Sequence, residues 1–185
     1  MSSLGATFGS EESDPSSLLG VELPHGYSLT DQVDAQAAID LARDNPDFDI
    51  GNTLHVRQTL VDRGLGVAEV GIMHNRDTDS TDAPADGQEL VGFSGLVFNQ
   101  KGQGELITLI VHEEHRRRGL GSALLMSRFV LATKFLGLDS LYIEALASTN
   151  TIAKRYAELG FYHRHGDSGG TLIYGPNPKM LVPRF

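Results

Sequence analysis

Apolar residues recur along the chain with two different periods. Ala37, Ala38, Leu41 and Ala42 share one face of a helix that Asp31 or Asp34 would cap and that must end before Pro46. Leu54, Val56, Leu60 and Val61 mark a second helix, capped by Asn52 or Thr53 and stopped at Gly64. Residues 26–29, 67–74, 90–98 and 105–112 read as strands. The polar loop 76–87 and the tight turn 101–104 connect the last three as an antiparallel meander.

The pattern then changes. Residues 118–135 predict a helix that is apolar around much of its girth (Leu124, Leu125, Phe129, Val130, Leu131), ended by Gly137. A strand over 141–145, a helix over 151–159 and a closing hairpin from 161–165 and 171–174 follow. This order predicts an α/β fold with a mixed, partly parallel sheet of about six or seven strands and about four flanking helices. Residues 1–23, rich in Ser, Gly and acid, read as a mobile tail, and residues 24–185 as a single domain.

Composition narrows the chemistry. The chain has 185 residues, 40% apolar and 21% charged, which suits one globular domain. Cysteine is absent, so disulfides, thiolate nucleophiles and zinc–thiolate sites are excluded. Net charge is −9. Residues 1–100 hold 17 acids against 4 bases, and residues 101–185 hold 7 acids against 11 bases. Such a chain is a poor general binder of nucleic acid or anionic membrane, although its basic half can hold one anionic ligand. The apolar run 106–111 is far too short to span a bilayer, and the first basic residue is Arg43, so no secretory signal fits. The expectation is a soluble cytoplasmic protein, monomeric or a homodimer.

The segment from Val111 to Ser122 joins an apolar strand to an apolar helix and contains Arg116, Arg117, Arg118, Gly119, Leu120 and Gly121. Glycines there let the backbone approach a ligand. The free N–H groups of a helix start, with three Arg, suit a pyrophosphate. A P-loop would need a Lys before Ser/Thr, and a dinucleotide fingerprint would need a third glycine where Leu124 stands. The remaining reading is a turn carrying a solvated basic run.

One βα unit later stands Tyr156-Ala-Glu-Leu-Gly160-Phe161. An apolar strand ending in Val111, the Arg116-x-x-Gly119-x-Gly121 turn, a further strand, an Asn-containing loop and a Tyr-x-x-x-Gly-Phe helix end together resemble the GNAT superfamily of acyl-CoA-dependent N-acyltransferases. The resemblance covers residues 105–161 closely, and the element order extends it to about 26–182. Asn150 stands six residues before Tyr156 where the family has seven, with Thr149 in the usual place.

The resemblance implies a GNAT fold with a splayed sheet centre. Acetyl-CoA is implied as acyl donor, its pantetheine arm against the strand at Leu109, Ile110 and Val111. Its pyrophosphate would lie on the turn from Arg116 to Ser122, with Asn150 nearby. It also implies direct attack by an amine acceptor, Tyr156 as proton donor to the leaving thiolate, and Glu105 or Glu144 as base. Glu105 stands where histone-type relatives carry the base. Glu144 stands where ribosomal-protein N-terminal acetyltransferases carry it, and the Glu144–Tyr156 interval favours Glu144. Each glutamate is otherwise an ordinary ion-pair partner, and Tyr156 an aromatic packing a helix end.

A non-catalytic acyl-CoA-binding module of the same fold is the alternative, and a nucleotide-binding regulatory domain a weaker third. Asp77, Asp79 and Asp82 fail the EF-hand pattern. The pairs His112/His115 and His163/His165 read as lacking nearby carboxylate or thiolate partners at ligand spacing, so surface histidines and no metal are expected.

Overall fold

The computed structural model describes residues 19–44, 64–75, 87–144, 150–163 and 171–175. The expected helix over 52–64, the loop 76–87 and most of the expected tail lie outside these. Among the described residues the chain forms seven strands and three α-helices: β1 (Tyr27–Thr30), α1 (Ala35–Arg43), β2 (Gly66–Asn75), β3 (Gln88–Phe98), β4 (Gln103–Val111), α2 (Leu120–Val130), β5 (Ser140–Glu144), α3 (Asn150–Glu158), β6 (Tyr162–His163) and β7 (Thr171–Tyr174).

The strands make one sheet in the order β1-β2-β3-β4-β5-β7-β6. Strands β1 to β4 are an antiparallel meander. The α2 connection brings β5 back parallel to β4, and β7 then pairs antiparallel with both β5 and β6. The α/β mixed sheet read from the sequence is the one observed.

Asp34 caps α1 by accepting a hydrogen bond from the Ala37 amide at 2.8 Å, as one of the two expected caps. Ala38, Leu41 and Ala42 pack with Phe93 and Ile110 on one sheet face. On the other face α2 packs Leu120 and Leu124, and the turn after it Leu131, into the main core with Val70, Ile72 and Leu106. Helix α2 starts at Leu120 rather than 118, because Gly119 has φ +85° and cannot continue the helix. It passes into a single π-turn over Leu131–Phe135. Leu19 is 3% exposed in the main core, with Val21 and Leu23 against it, so the end of the expected tail is fastened to the domain.

Candidate active site

The site begins where two strands part. β4 pairs with β5 only at Gln103–Ser140, Gly104–Leu141 and Glu105–Tyr142. Beyond that point β5 pairs with β7, Ile143 with Leu172 and Glu144 with Thr171. Among the described residues, Leu106 to Val111 have no partner on the β5 side, and the sheet opens as a fork whose root is Glu105.

A β-bulge lies on the open arm of the fork. Ser94 pairs with Leu109 and Gly95 with Ile107, which leaves Thr108 unopposed at φ +48°. The bulge shifts the side-chain phase by one residue. Leu106 before it and Leu109 after it both meet the α2 core, three residues apart instead of two, while Ile110 meets α1.

Arg128 holds the bulge. Its guanidinium, 1% exposed, donates to the carbonyls of Ile107 at 3.1 Å and Thr108 at 3.0 Å, and to the hydroxyl of Tyr156. It also lies 5.7 Å from the centre of the Tyr156 ring. A buried cation survives only with such compensation. Burial pushes its pKa down, opposed by Tyr156; an arginine stays charged all the same.

Tyr156 is 1% exposed and packs edge-on against Phe161, with ring centres 5.1 Å apart. Burial raises its pKa, while the Arg128 charge and hydrogen bond pull the other way. The phenol is therefore protonated at neutral pH. Its oxygen accepts from Arg128, which leaves its own proton available for donation.

At the far end of β4 the chain turns into α2. Arg116 folds back and its Nε donates to the Val111 carbonyl at 3.0 Å. Arg117 at φ +62° and Gly119 at φ +85° turn the backbone twice through the left-handed region, a local geometry that can cup an anion. The first intrahelical bond runs from the Ala123 amide to the Gly119 carbonyl, so the amides of Leu120, Gly121 and Ser122 precede the helical ladder. Arg116, Arg117, Arg118 and Ser122 are exposed. The Leu120 side chain is buried in the core and offers a ligand only its backbone.

The structure thus brings Glu105, Leu109, Val111 and Tyr156 around the fork and its open arm, with the turn 116–122 at the arm's end. Glu105 is 8% exposed, a buried carboxylate at the root. Glu144 stands two residues past the last β4–β5 pair. Ile110 is buried toward α1, away from the α2 face. Asn150 is the first residue of α3. Sequence reasoning missed Arg128 and Thr108. A charge at 128 within the otherwise apolar stripe of Leu124, Leu125 and Leu131 was the available signal for Arg128. Nothing in the sequence marks a bulge at a threonine.

Residues 62–161 match the acetyltransferase (GNAT) family. No curated protein matches the sequence. Among solved structures, the chain resembles the ribosomal-protein-S18-alanine N-acetyltransferase of Escherichia coli, at 15% identity, covering 84% of this chain and 98% of that one with a TM-score of 0.55. It also resembles the PaiA N-acetyltransferase of Thermoplasma acidophilum in complex with coenzyme A, at 15% identity, 82% and 99% coverage and a TM-score of 0.54. A GNAT family N-acetyltransferase of Escherichia coli in complex with CoA is similar at 14% identity, 83% coverage of each chain and a TM-score of 0.57. At these identities the structural neighbours show a shared fold, and the family match spans more than half of the chain. The forked sheet, the bulged strand and the glycine turn are therefore those of a protein that belongs to the acetyltransferase (GNAT) family.

Proposed function

We propose that the protein moves an acetyl group from acetyl-CoA to a primary amine by direct attack on the thioester. The observation that carries this reading is the fork between β4 and β5, with an anion-cupping turn at one end and a protonated, buried tyrosine beside it. The pantetheine arm would pair with the open edge of β4 near Leu109 and Val111, and the pyrophosphate would rest on the amides and arginines of the 116–122 turn. The absence of cysteine agrees with transfer that uses no thioester enzyme intermediate.

Each residue answers a demand of the reaction. The amine, with a solution pKa near ~10, must lose a proton before it attacks. The two carboxylates at the fork, Glu105 and Glu144, are the bases proposed for this. Backbone amides beside the Thr108 bulge would stabilise the oxyanion. Tyr156 would protonate the departing CoA thiolate. The acidic first half of the chain favours a cationic acceptor, either a small molecule or a peptide amine.

The test is release of free CoA from acetyl-CoA across polyamines, aminoglycosides, amino acids and peptides. At least one amine class should accelerate release well above the hydrolytic background. Tight acetyl-CoA binding with no turnover on any amine would favour a non-catalytic acyl-CoA-binding module instead.

The two glutamates are separated by pH profiles. Glu144 lies alongside the open part of the fork, where a thioester would sit, while Glu105 lies at its closed root. Glu144→Gln should flatten the acidic limb of kcat/KM and depress kcat, with Glu105→Gln milder. The reverse order assigns the base to Glu105. An unaltered limb in both variants means that solvent takes the proton.

A further inference from the structure

Beside the 116–122 turn stands a cluster of imidazoles that the proposed acyl transfer does not use. His74 near the end of β2 is the direct cross-strand partner of Glu89 near the start of β3. His115 reaches the same place from the short 3₁₀ turn, Glu113–His115, that follows β4. One ligand atom from each of His74, Glu89 and His115 lies within 4.8 Å of the others. We propose that these three residues bind one divalent transition-metal ion of the zinc class, fastening the chain just before the 116–122 turn to the β2–β3 end of the sheet.

Three features beyond proximity support the assignment. First, the donor set of two imidazoles and one carboxylate is one that zinc accepts, leaving a fourth position open. Bonds of ~2.0–2.2 Å to a shared ion would draw the three ligand atoms closer together than the 4.8 Å within which they now lie. Second, the cluster has an outer partner. The Tyr27 hydroxyl lies 2.9 Å from His115 Nδ1, so Tyr27 can fix the ring orientation and direct Nε2 to an ion. Tyr27 is also the β1 partner of His74, its ring 4.9 Å from that imidazole. Third, the buried Nδ1 of His74 has no hydrogen-bond partner. A buried polar nitrogen left in that state is costly unless something fills it.

Burial and then His74 lower the pKa of His115, and Glu89 opposes them. Arg118 and His112 lower it further. The Arg118 charge opposes a dication as well, and the Glu89 carboxylate is the counter-charge within the site. A second trio, His112, Glu114 and His115, shares His115, but its Glu114 is exposed. The half-buried first trio is the better preorganised site. Spacing along the chain could not show it, because the carboxylate and the second imidazole arrive from β3 and β2.

The experiment uses the full chain without an affinity tag, stripped with chelator and titrated calorimetrically with Zn²⁺ in the absence of CoA. One equivalent should bind saturably and raise the melting temperature, while Mg²⁺, which prefers oxygen ligands, should do neither. Glu89→Gln should weaken Zn²⁺ binding by roughly tenfold or more, and His74→Gln with His115→Gln should abolish it. Melting curves in chelator establish that each variant is folded; should the double variant fail to fold, Glu89→Gln decides. His163→Gln with His165→Gln should leave the equivalent intact. Absence of saturable binding, an unchanged affinity in Glu89→Gln, or loss of binding only in the 163/165 variant would overturn the site. None of these outcomes depends on acyl transfer.

Discussion

Replacing Gly119 by Glu should abolish the thermal stabilisation conferred by acetyl-CoA. A ligand that binds only the folded state at ~100 times its Kd adds about 2.7 kcal/mol. For a chain of 185 residues, roughly 2–4 °C per kcal/mol makes this a rise of about 5–11 °C. Gly119 has φ +85° and a Cβ built there would meet nothing within 4 Å. The free protein would therefore feel only backbone strain, about 1–2 kcal/mol. Gly119→Ala carries the same strain and should keep most of the shift. The added carboxylate of Glu would stand where the pyrophosphate is proposed to lie, so that variant should melt slightly lower and respond to acetyl-CoA no further. A full shift in Gly119→Glu would move the phosphate site away from this turn.

Tyr156→Phe should lower kcat by roughly tenfold to a thousandfold while leaving acetyl-CoA affinity nearly intact. The hydroxyl has two partners to serve. It accepts from Arg128, and it has a proton to give. Its removal deprives a buried guanidinium of one acceptor, which costs about 1.5–3 kcal/mol of stability by the usual worth of a charged hydrogen bond. A purely structural tyrosine would show that stability loss alone. A proton donor would also lose the basic limb of the pH profile, because that limb reports the phenol. Arg128→Met is the complement: it leaves the Ile107 and Thr108 carbonyls without their donor and should release the bulge, reducing stability and kcat together. An unchanged kcat in Tyr156→Phe would remove the residue from the chemistry and leave it as the partner of Arg128.

Much of the fold was legible because local signals agreed with the tertiary outcome. Asp34 is a cap in the sequence and a cap in the structure, and the meander strands lie within a few residues of their expected bounds. The turn from Arg116 to Gly121 was legible as a turn because glycine and charge are concentrated in one short segment. What escaped depends on register. Apart from Thr108 itself, β4 is apolar on both faces from Leu106 to Val111, so a phase shift there leaves no trace in the alternation. Arg128 was visible as a misplaced charge, but its partners, 20 and 21 residues upstream and 28 downstream, were not. The His74–Glu89 pairing likewise depends on the β2–β3 register, which shifts between Ile72 and Met73. Leu19 belongs to the core through tertiary contact, although its neighbours read as tail.

Acyl-CoA is proposed to lie in the β4–β5 fork, and amide hydrogen exchange along β4 tests that most directly. Added acetyl-CoA should slow exchange at Leu109 and Val111, where the pantetheine arm is proposed to act as an extra strand, as well as at the amides of residues 120–122. Protection confined to the turn, with β4 unchanged, would describe a phosphate or nucleotide ligand that never enters the fork, and would contradict the proposal.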